Sequence, residues 1–502
     1  MLTKTHRQQQ TTSSDIGISG LAAYLPPYRV RLEDWCKWTD SQWPKIRDVV
    51  GRSFRMRGPD HSVYTMAATA VLRLIDQYEV DPQRIRFLGF GTESSTDNSA
   101  GAVIVKGMVD QALKARGKPP ISRSCEVPEY KHACLGGVYA MKGAIRYLAT
   151  DGAGSQAIVV CADIAEYARG SSGEPTQGAG AVAMLIEQNP SLATVDLSQS
   201  GSASDYRIMD FRKPMLRFCG QDRSETHQVQ DFPVFNGKYS TTCYIDETLH
   251  ALNDMYRKRG CSAIEHLRSL KTIFMHRPYR RMPETGLAIA YLFALGKGTD
   301  ADHNELADFC VEADIDPAAL LAEMSAQPDV AGFACREGLR NEAYPLTMAV
   351  LQVFRASSVY QREVLDKLAL GGEAIRDLGN LYTAAMPAWL AAGLEEALRD
   401  DLDLTGEELL TFGYGSGDAA EVIPFYVAPR WREATARIRF AEAMTGAVDL
   451  SQDQYVALHD GRRVHGLDYQ CSDEFVIDTV GRHDERHFQD VGIEYYRYVS
   501  SL

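Results

Sequence analysis

The chain has 502 residues, 45% of them hydrophobic and 24% charged, a composition that supports a large globular core and excludes disordered, collagen-like and fibrous classes. Acidic residues outnumber basic ones by 67 to 53, a formal net charge of -14 that excludes general attraction to nucleic acid or anionic membranes. Ten cysteines without a single C-x-x-C pair exclude a disulfide scaffold and point to free thiols in a reducing, cytoplasmic setting.

The first 14 residues lack the apolar centre of a secretory signal and read as a flexible leader. From Asp15, IGISGLAAYLP predicts an opening strand closed by a proline turn. Helical apolar spacing runs from His61 to Val80, and RFLGFGTESS predicts a buried strand ending near Glu93. A helix through AGAVIVKGMVDQALKARG follows, then a loop to Cys134, a helix at GGVYAMKGAIRYLA, and strands at QAIVVCADIA and AGAVAMLIE. The second half repeats this grammar with a strand at LKTIFMH, a helix from about Pro283 to Leu295, a helix through GNLYTAAMPAWLAAGLEEAL and a strand at ELLTFGYG. Strands alternating with helices predict an α/β chain with a covered sheet, built as two similar halves. One half spans residues 15–200 and the other 201–502. An amphipathic helical stretch at about 298–376 reads as an inserted surface subdomain. The segment from about Asp449 is polar and aromatic, suited either to capping the core or to a subunit contact. No apolar run approaches the roughly 18 to 20 residues of a membrane span.

Five places carry candidate chemistry. Cys134 in KHACLGG stands just before a predicted helix, where free amides and the positive dipole end favour a thiolate. Taken alone, a buried cysteine at a helix start is structural more often than catalytic. Cys125, His132 and Cys134 match no common zinc spacing, so no metal is expected. Glu93 closes an apolar strand, where burial raises a carboxyl toward the range of a base that removes a carbon-bound proton. A capping or loop-bonding glutamate fits that position as well. His276 leaves a strand in TIFMHRPYRRM beside Arg280 and Arg281, the local positive charge that a phosphate-bearing ligand requires. Asn380 in GNLYT and the FGYGSG run, with Gly415 and Ser416, complete the set, the glycine-rich run offering backbone amides to an oxyanion or forming a simple tight turn.

In order along the chain, GTESSTD, EYKHAC, ADIAEY, SSGEPTQGAGAVAML, MDFRKP, HRPYRRM, GNLYT and FGYGSG resemble the motifs of 3-hydroxy-3-methylglutaryl-CoA synthases, members of the thiolase-like condensing enzymes. The resemblance covers roughly residues 15 to 300 and 377 to 500. It implies a duplicated, layered α/β/α/β/α thiolase-like fold with an additional helical insertion, assembled as a homodimer. It also implies no cofactor or metal beyond CoA thioesters, which are the substrates. Carried over by motif, Cys134 takes an acetyl group from acetyl-CoA and Glu93 serves as general acid and base. His276 then positions acetoacetyl-CoA. Asn380, Ser416, Gly415 and Thr176 fall at substrate-binding positions, Asp163, Tyr167 and Asp210 at positions that support the pocket, and Arg281 where a basic residue favours the CoA phosphates. The chain departs from the pattern at Leu135, Met275, Asn236, Ala384 and Ala385, where the family commonly has tyrosine, phenylalanine, aspartate, glycine and serine.

Within the family, a polyketide-associated branch uses acyl carrier proteins as partners. The compact SSGEPTQGAGAV segment favours free CoA thioesters and the mevalonate route to isoprenoids. A cysteine-dependent acyl hydrolase would share Cys134 and His276 but have no need of Glu93. A non-catalytic binding module would be expected to lack the three-residue set.

Overall fold

A computed structural model describes residues 15–95, 100–207, 210, 232–233, 236–326, 328–330, 342–462, 464, 466–467 and 469–500. The leader at 1–14 lies outside them. Ten strands of the described chain form one mixed sheet. They are β1 (Ile16–Tyr24), β2 (Ile85–Gly91), β3 (Glu129–Tyr130), β4 (Gln156–Ala165), β5 (Gly178–Gln188), β6 (Ala193–Val195), β7 (Gly201–Ser204), β8 (Thr272–Met275), β9 (Glu408–Gly415) and β10 (Ala419–Val427). Their spatial order is β8-β9-β10-β6-β1-β5-β4-β2-β3, with β7 also paired to β10.

The same pattern occurs twice in this sheet. A parallel pair, β2 with β4, continues into an antiparallel pair, β4 with β5. Likewise β8 runs parallel to β9, which is antiparallel to β10. The chain leaves β2 toward Glu93 and leaves β8 at His276, so two candidate residues stand past equivalent strand ends.

Apolar runs form the central strands because both of their faces are covered. Along β4, Ile158, Val160 and Ala162 pack with α1 (Val63–Gln77) and α2 (Gly101–Ala115), whereas Val159 and Cys161 pack with α3 (Gly136–Ala149). Strand parity thus divides one hydrophobic segment between two helical layers. Helix α1 starts two residues later than the apolar spacing suggests. Ser62 and Thr65 close a capping box there, with the Ser62 N–H donating to Thr65 Oγ1 at 2.9 Å. Helices α4 (Gly237–Arg259), α5 (Arg281–Leu295) and α6 (Ala385–Arg399) bury Tyr244, Tyr291 and Trp389 in the cluster that also holds the inner face of α3.

The region expected as a surface insertion is tied into this same core. Its helices Asp300–Glu312 and Pro345–Phe354 bury Phe309 and Phe354, and Phe354 stacks on Tyr291 with centroids 5.7 Å apart. The C-terminal strands Glu474–Val480 and Glu494–Val499 pair and dock Phe475 against α1, so this segment caps the core. Glu474 is fully enclosed there, accepting from Tyr24, from Tyr469 at 2.8 Å and from His61 at 3.3 Å. Burial opposes ionisation of Glu474, but bonds and charge from His61 together with the two phenols outweigh it and hold the carboxyl down at about 2.

This depressed value makes the C-terminal cap acid-sensitive. The stabilisation is present above the unfolded value of about 4.3 and is lost as pH falls through about 2. Two pH units correspond to about 3 kcal/mol. Urea unfolding followed from pH 6 to pH 3 should therefore show falling stability, with a shallower slope for Glu474→Gln. Equal slopes in the two proteins would remove Glu474 as the cause.

Candidate active site

Close backbone approach sets the site's position. A Cβ on Gly91 at the end of β2 would collide with the backbone of Gly137, and one on Gly137 would strike the Cys161 sulfur. Glycine at both places lets the start of α3 lie against the sheet, bringing Cys134 beside the loop that carries Glu93. Strand β2 ends two residues before Glu93 because the chain turns there to bond a buried carboxylate. Asp163 on β4 accepts from Thr92 Oγ1 at 3.0 Å, from the Glu93 and Ser94 amides at 2.7 and 2.8 Å, and from Ser94 Oγ at 2.8 Å. Its other oxygen accepts from the Thr383 amide at 3.0 Å and from Thr383 Oγ1 at 2.5 Å. Six donors spend the carboxylate on fixing two loops. Asp163 therefore supports the site from behind.

Cys134, Tyr167, Thr176, His276, Asn380 and Ser416 line one cavity of about 240 Å³. The Glu93 carboxylate acts electrostatically on both the Cys134 thiol and the Tyr382 phenol in its wall. His276 follows β8 directly. Its amide donates to the Phe412 carbonyl at 2.7 Å, its own carbonyl accepts from Tyr244 at 3.2 Å, and its ring lies 6.4 Å from that of Tyr414. Burial lowers the imidazole to about 3, so it is neutral. Its Nε2 is buried with no hydrogen-bond partner among the described residues, which leaves it available to a ligand. Asn380 uses its side-chain carbonyl to accept from the Tyr382 amide at 2.9 Å, and its side-chain amide donates to the Tyr167 phenol, one of its two N–H groups remaining for a ligand.

The thiolate expected at Cys134 is not what the surroundings favour. Burial, followed by the charges of Glu93, Asp163 and Asp210, pushes the thiol well above its ordinary range, opposed only locally by its own backbone N–H. Long-range burial and like charge outweigh the dipole at the start of α3. The surroundings of Cys134 thus favour the thiol over the thiolate.

Residues 12–191 match the family model described as hydroxymethylglutaryl-coenzyme A synthase N terminal. The chain is 26% identical over 441 residues to a hydroxymethylglutaryl-CoA synthase of Haloferax volcanii, covering 86% of this chain and 88% of that one. It is 24% identical over 461 residues to the Enterococcus faecalis enzyme of the same name, covering 91% and 95%. By this match and these relatives, the chain is similar to the hydroxymethylglutaryl-CoA synthase family. Among solved structures, MvaS in complex with 3-hydroxy-3-methylglutaryl coenzyme A aligns over 97% of this chain and 100% of that one, with TM-score 0.73 and 24% identity. The curacin pathway HMG synthase in complex with holo donor-ACP aligns over the same shares, with TM-score 0.66 and 19% identity. Both likenesses bear on the fold, which is the layered thiolase-like one.

The other residues of the matched motifs take places behind or beside the cavity. Asp210 is buried away from the cavity surface, accepting from Ser240, from Tyr414 at 3.1 Å and from the Gly417 amide at 3.2 Å. Gly415 faces His132, where a Cβ would lie 2.5 Å from its carbonyl oxygen. Arg281 opens α5 with its Nε 3.4 Å from Glu284, outside the cavity lining. Leu135 is fully buried, filling the space above Gly413, and Met275, Ala384 and Ala385 are buried as well. None of these four family departures lines the cavity.

Ser240, Tyr279, Met282, Tyr382 and Tyr414 belong to the cavity but were not singled out from the sequence. The alternation in FGYGSG offered a signal for Tyr414: Gly413 receives Val138 of α3 and Gly415 receives the His132–Leu135 stretch before it, while residues 414 and 416 turn to the cavity. Two groups of described residues bring three candidate metal-ligating atoms within 4.8 Å of one another, namely His61–Cys471–Glu474 and Asp210–Cys243–Asp418. Hydrogen bonds already engage the carboxylates in both. In the second, burial and then Asp210 raise Asp418 to about 9, making it a neutral acid and a poor cation ligand.

Proposed function

We propose that the protein condenses acetyl-CoA with acetoacetyl-CoA and water to give 3-hydroxy-3-methylglutaryl-CoA and CoA, through an acetyl thioester on Cys134, in the mevalonate route to isoprenoids. The observation that carries this reading is one cavity that presents Cys134, His276, Asn380 and Ser416 while the Glu93 carboxylate acts on the same thiol.

The Cys134 sulfur attacks the acetyl carbonyl, and one proton passes overall from Cys134 to the departing CoA sulfur. Glu93 then removes a proton from the acetyl methyl group, a step whose base is most effective near the operating pH. The carbon nucleophile adds to the ketone of acetoacetyl-CoA, and the protonated Glu93 returns its proton to the new alkoxide. Neutral His276 orients that ketone substrate through Nε2. The Asn380 amide and Ser416 hold acyl oxygens as charge develops, with Thr176 and Tyr167 closing the wall. Water hydrolyses the remaining bond to Cys134 and restores the thiol. Arg281, half-buried near the cavity-lining residues Pro278 and Tyr279, meets the CoA phosphates. The reaction needs no group beyond the CoA thioesters.

Residues 15–200 and 201–502 serve as the two halves of the duplicated fold, and the protein works as a cytoplasmic homodimer. Among the described residues, no helix is long and apolar enough to cross a membrane.

Carrier-protein substrates are the second reading, favoured by fold neighbours that include a synthase in complex with holo donor-ACP. A steady-state assay with free acetyl-CoA and acetoacetyl-CoA separates the two. Turnover on the order of 1 to 10 per second is expected at saturation. Activity confined to carrier-bound acyl groups would reverse the assignment.

A further inference from the structure

Across the His276–Arg281 segment from the catalytic cavity lies a second cavity of about 340 Å³, walled in part by the last turns of the insertion. Three guanidinium groups, those of Arg277, Arg280 and Arg376, face two carboxylates, Glu284 and Glu373. Both carboxylates are already shared. Glu284 pairs with Arg280 at 3.1 Å and with Arg281 at 3.4 Å. Glu373 pairs with Arg376 at 3.0 Å and with Arg52 at 3.1 Å.

Arg277 is left over. It is only 8% exposed, yet among the described residues it forms no ion pair. One amino group donates to the Gly372 carbonyl at 3.1 Å, and the guanidinium carbon sits 5.6 Å from the Trp389 ring centroid. Among the described residues the other amino group, Nη2, has no acceptor, nor does the buried Nε of Arg376. Buried guanidinium N–H groups without acceptors are costly, and a buried charge without a counter-ion more so. Burial, joined by the like charges of Arg280 and Arg376, pulls Arg277 down to about 9 against the opposing pull of Glu284 and Glu373.

We propose that this cavity binds a small phosphate-type oxyanion, which completes the hydrogen bonding of Arg277 and Arg376 and supplies the missing counter-charge. A guanidinium pair matches such an anion in geometry and charge. The surrounding Arg280 and Gln361 bring further donors, and Trp389 closes the apolar side. Because Arg277 follows His276 directly, the bound anion steadies the segment that separates the two cavities. The site is independent of the CoA substrates.

Inorganic phosphate is the probe, titrated into the full-length protein at ionic strength held constant with sodium chloride. Tryptophan fluorescence and thermal melting report binding without reference to catalysis. Wild type should show a saturable fluorescence change and a rise in Tm of a few degrees at about 100 times the Kd. Arg277→Met should lose the response. Arg376→Gln and Arg280→Gln should each weaken binding about tenfold, and they carry the test if Arg277→Met fails to fold. The response should persist with CoA at saturation. Absence of a saturable response in wild type, or an undiminished one in the substituted proteins, would overturn the site. So would displacement of phosphate by CoA but not by pantetheine, because the cavity would then hold only the tail of the substrate.

Discussion

Cys134→Ala is expected to lower condensation by about 10⁴-fold or more while leaving the fold intact. The cysteine is half-buried at the cavity wall, and removing its sulfur exposes no unpaired charge, so stability should change by no more than about 1 kcal/mol. Intact-protein mass spectrometry after incubation with acetyl-CoA gives the sharper reading. Wild type should gain the mass of one acetyl group, and Cys134→Ala should gain none. A second consequence follows from the raised thiol. Without substrate, Cys134 should react with iodoacetamide more slowly than exposed Cys261, because the reactive thiolate is scarce. An acetyl adduct that survives in Cys134→Ala would place the nucleophile elsewhere.

Legibility followed the range of the interactions. The apolar runs of β4 and β5 and the amphipathic spacing of α1 and α3 identify their elements directly, since burial on one or two faces dictates each pattern. The ends of elements were less legible. Strand β2 stops at Gly91 because Asp163, some 70 positions away, claims the amides of Glu93 and Ser94. Helix α6 starts at Ala385, after a turn in which Tyr382 has φ of +45° and its amide bonds the Asn380 side chain. The same range limit governs chemistry. Position before α3 suggested a thiolate at Cys134, whereas the carboxylates that oppose it come from Glu93, Asp163 and Asp210 in three other stretches of chain. Val49 and Val50, from a surface helix and its end, reach the cavity with no local pattern that marks them. Ordered motifs, by contrast, were informative at a distance. Six residues carried by the resemblance share the cavity even though they span positions 134 to 416.

Glu93→Gln should separate acyl transfer from carbon-carbon bond formation. The Glu93 amide is bonded to Asp163 at 2.7 Å, so the loop keeps its anchor when the side chain becomes neutral. Acetylation of Cys134 moves a proton from one sulfur to another and needs no carbon base, and the acetyl adduct should form and accumulate. Condensation should fall by about 10² to 10⁴-fold, the usual contribution of a positioned general base. Exchange of the acetyl methyl protons with deuterated water should fall in step. The thiol supplies an independent check on geometry. Glu93 is the first charge after burial to push Cys134 upward, so its removal should lower that thiol toward the ordinary range. Iodoacetamide should then label Cys134 faster in Glu93→Gln than in wild type at the same pH. If labelling quickens while condensation stays at the wild-type rate, Glu93 shares the electrostatic field of the nucleophile but is not the base. If neither changes, the carboxylate does not act at this site at all. Quickened labelling, an accumulating adduct and lost methyl exchange together assign the carbon-deprotonating step to Glu93 and the acyl-carrying step to Cys134.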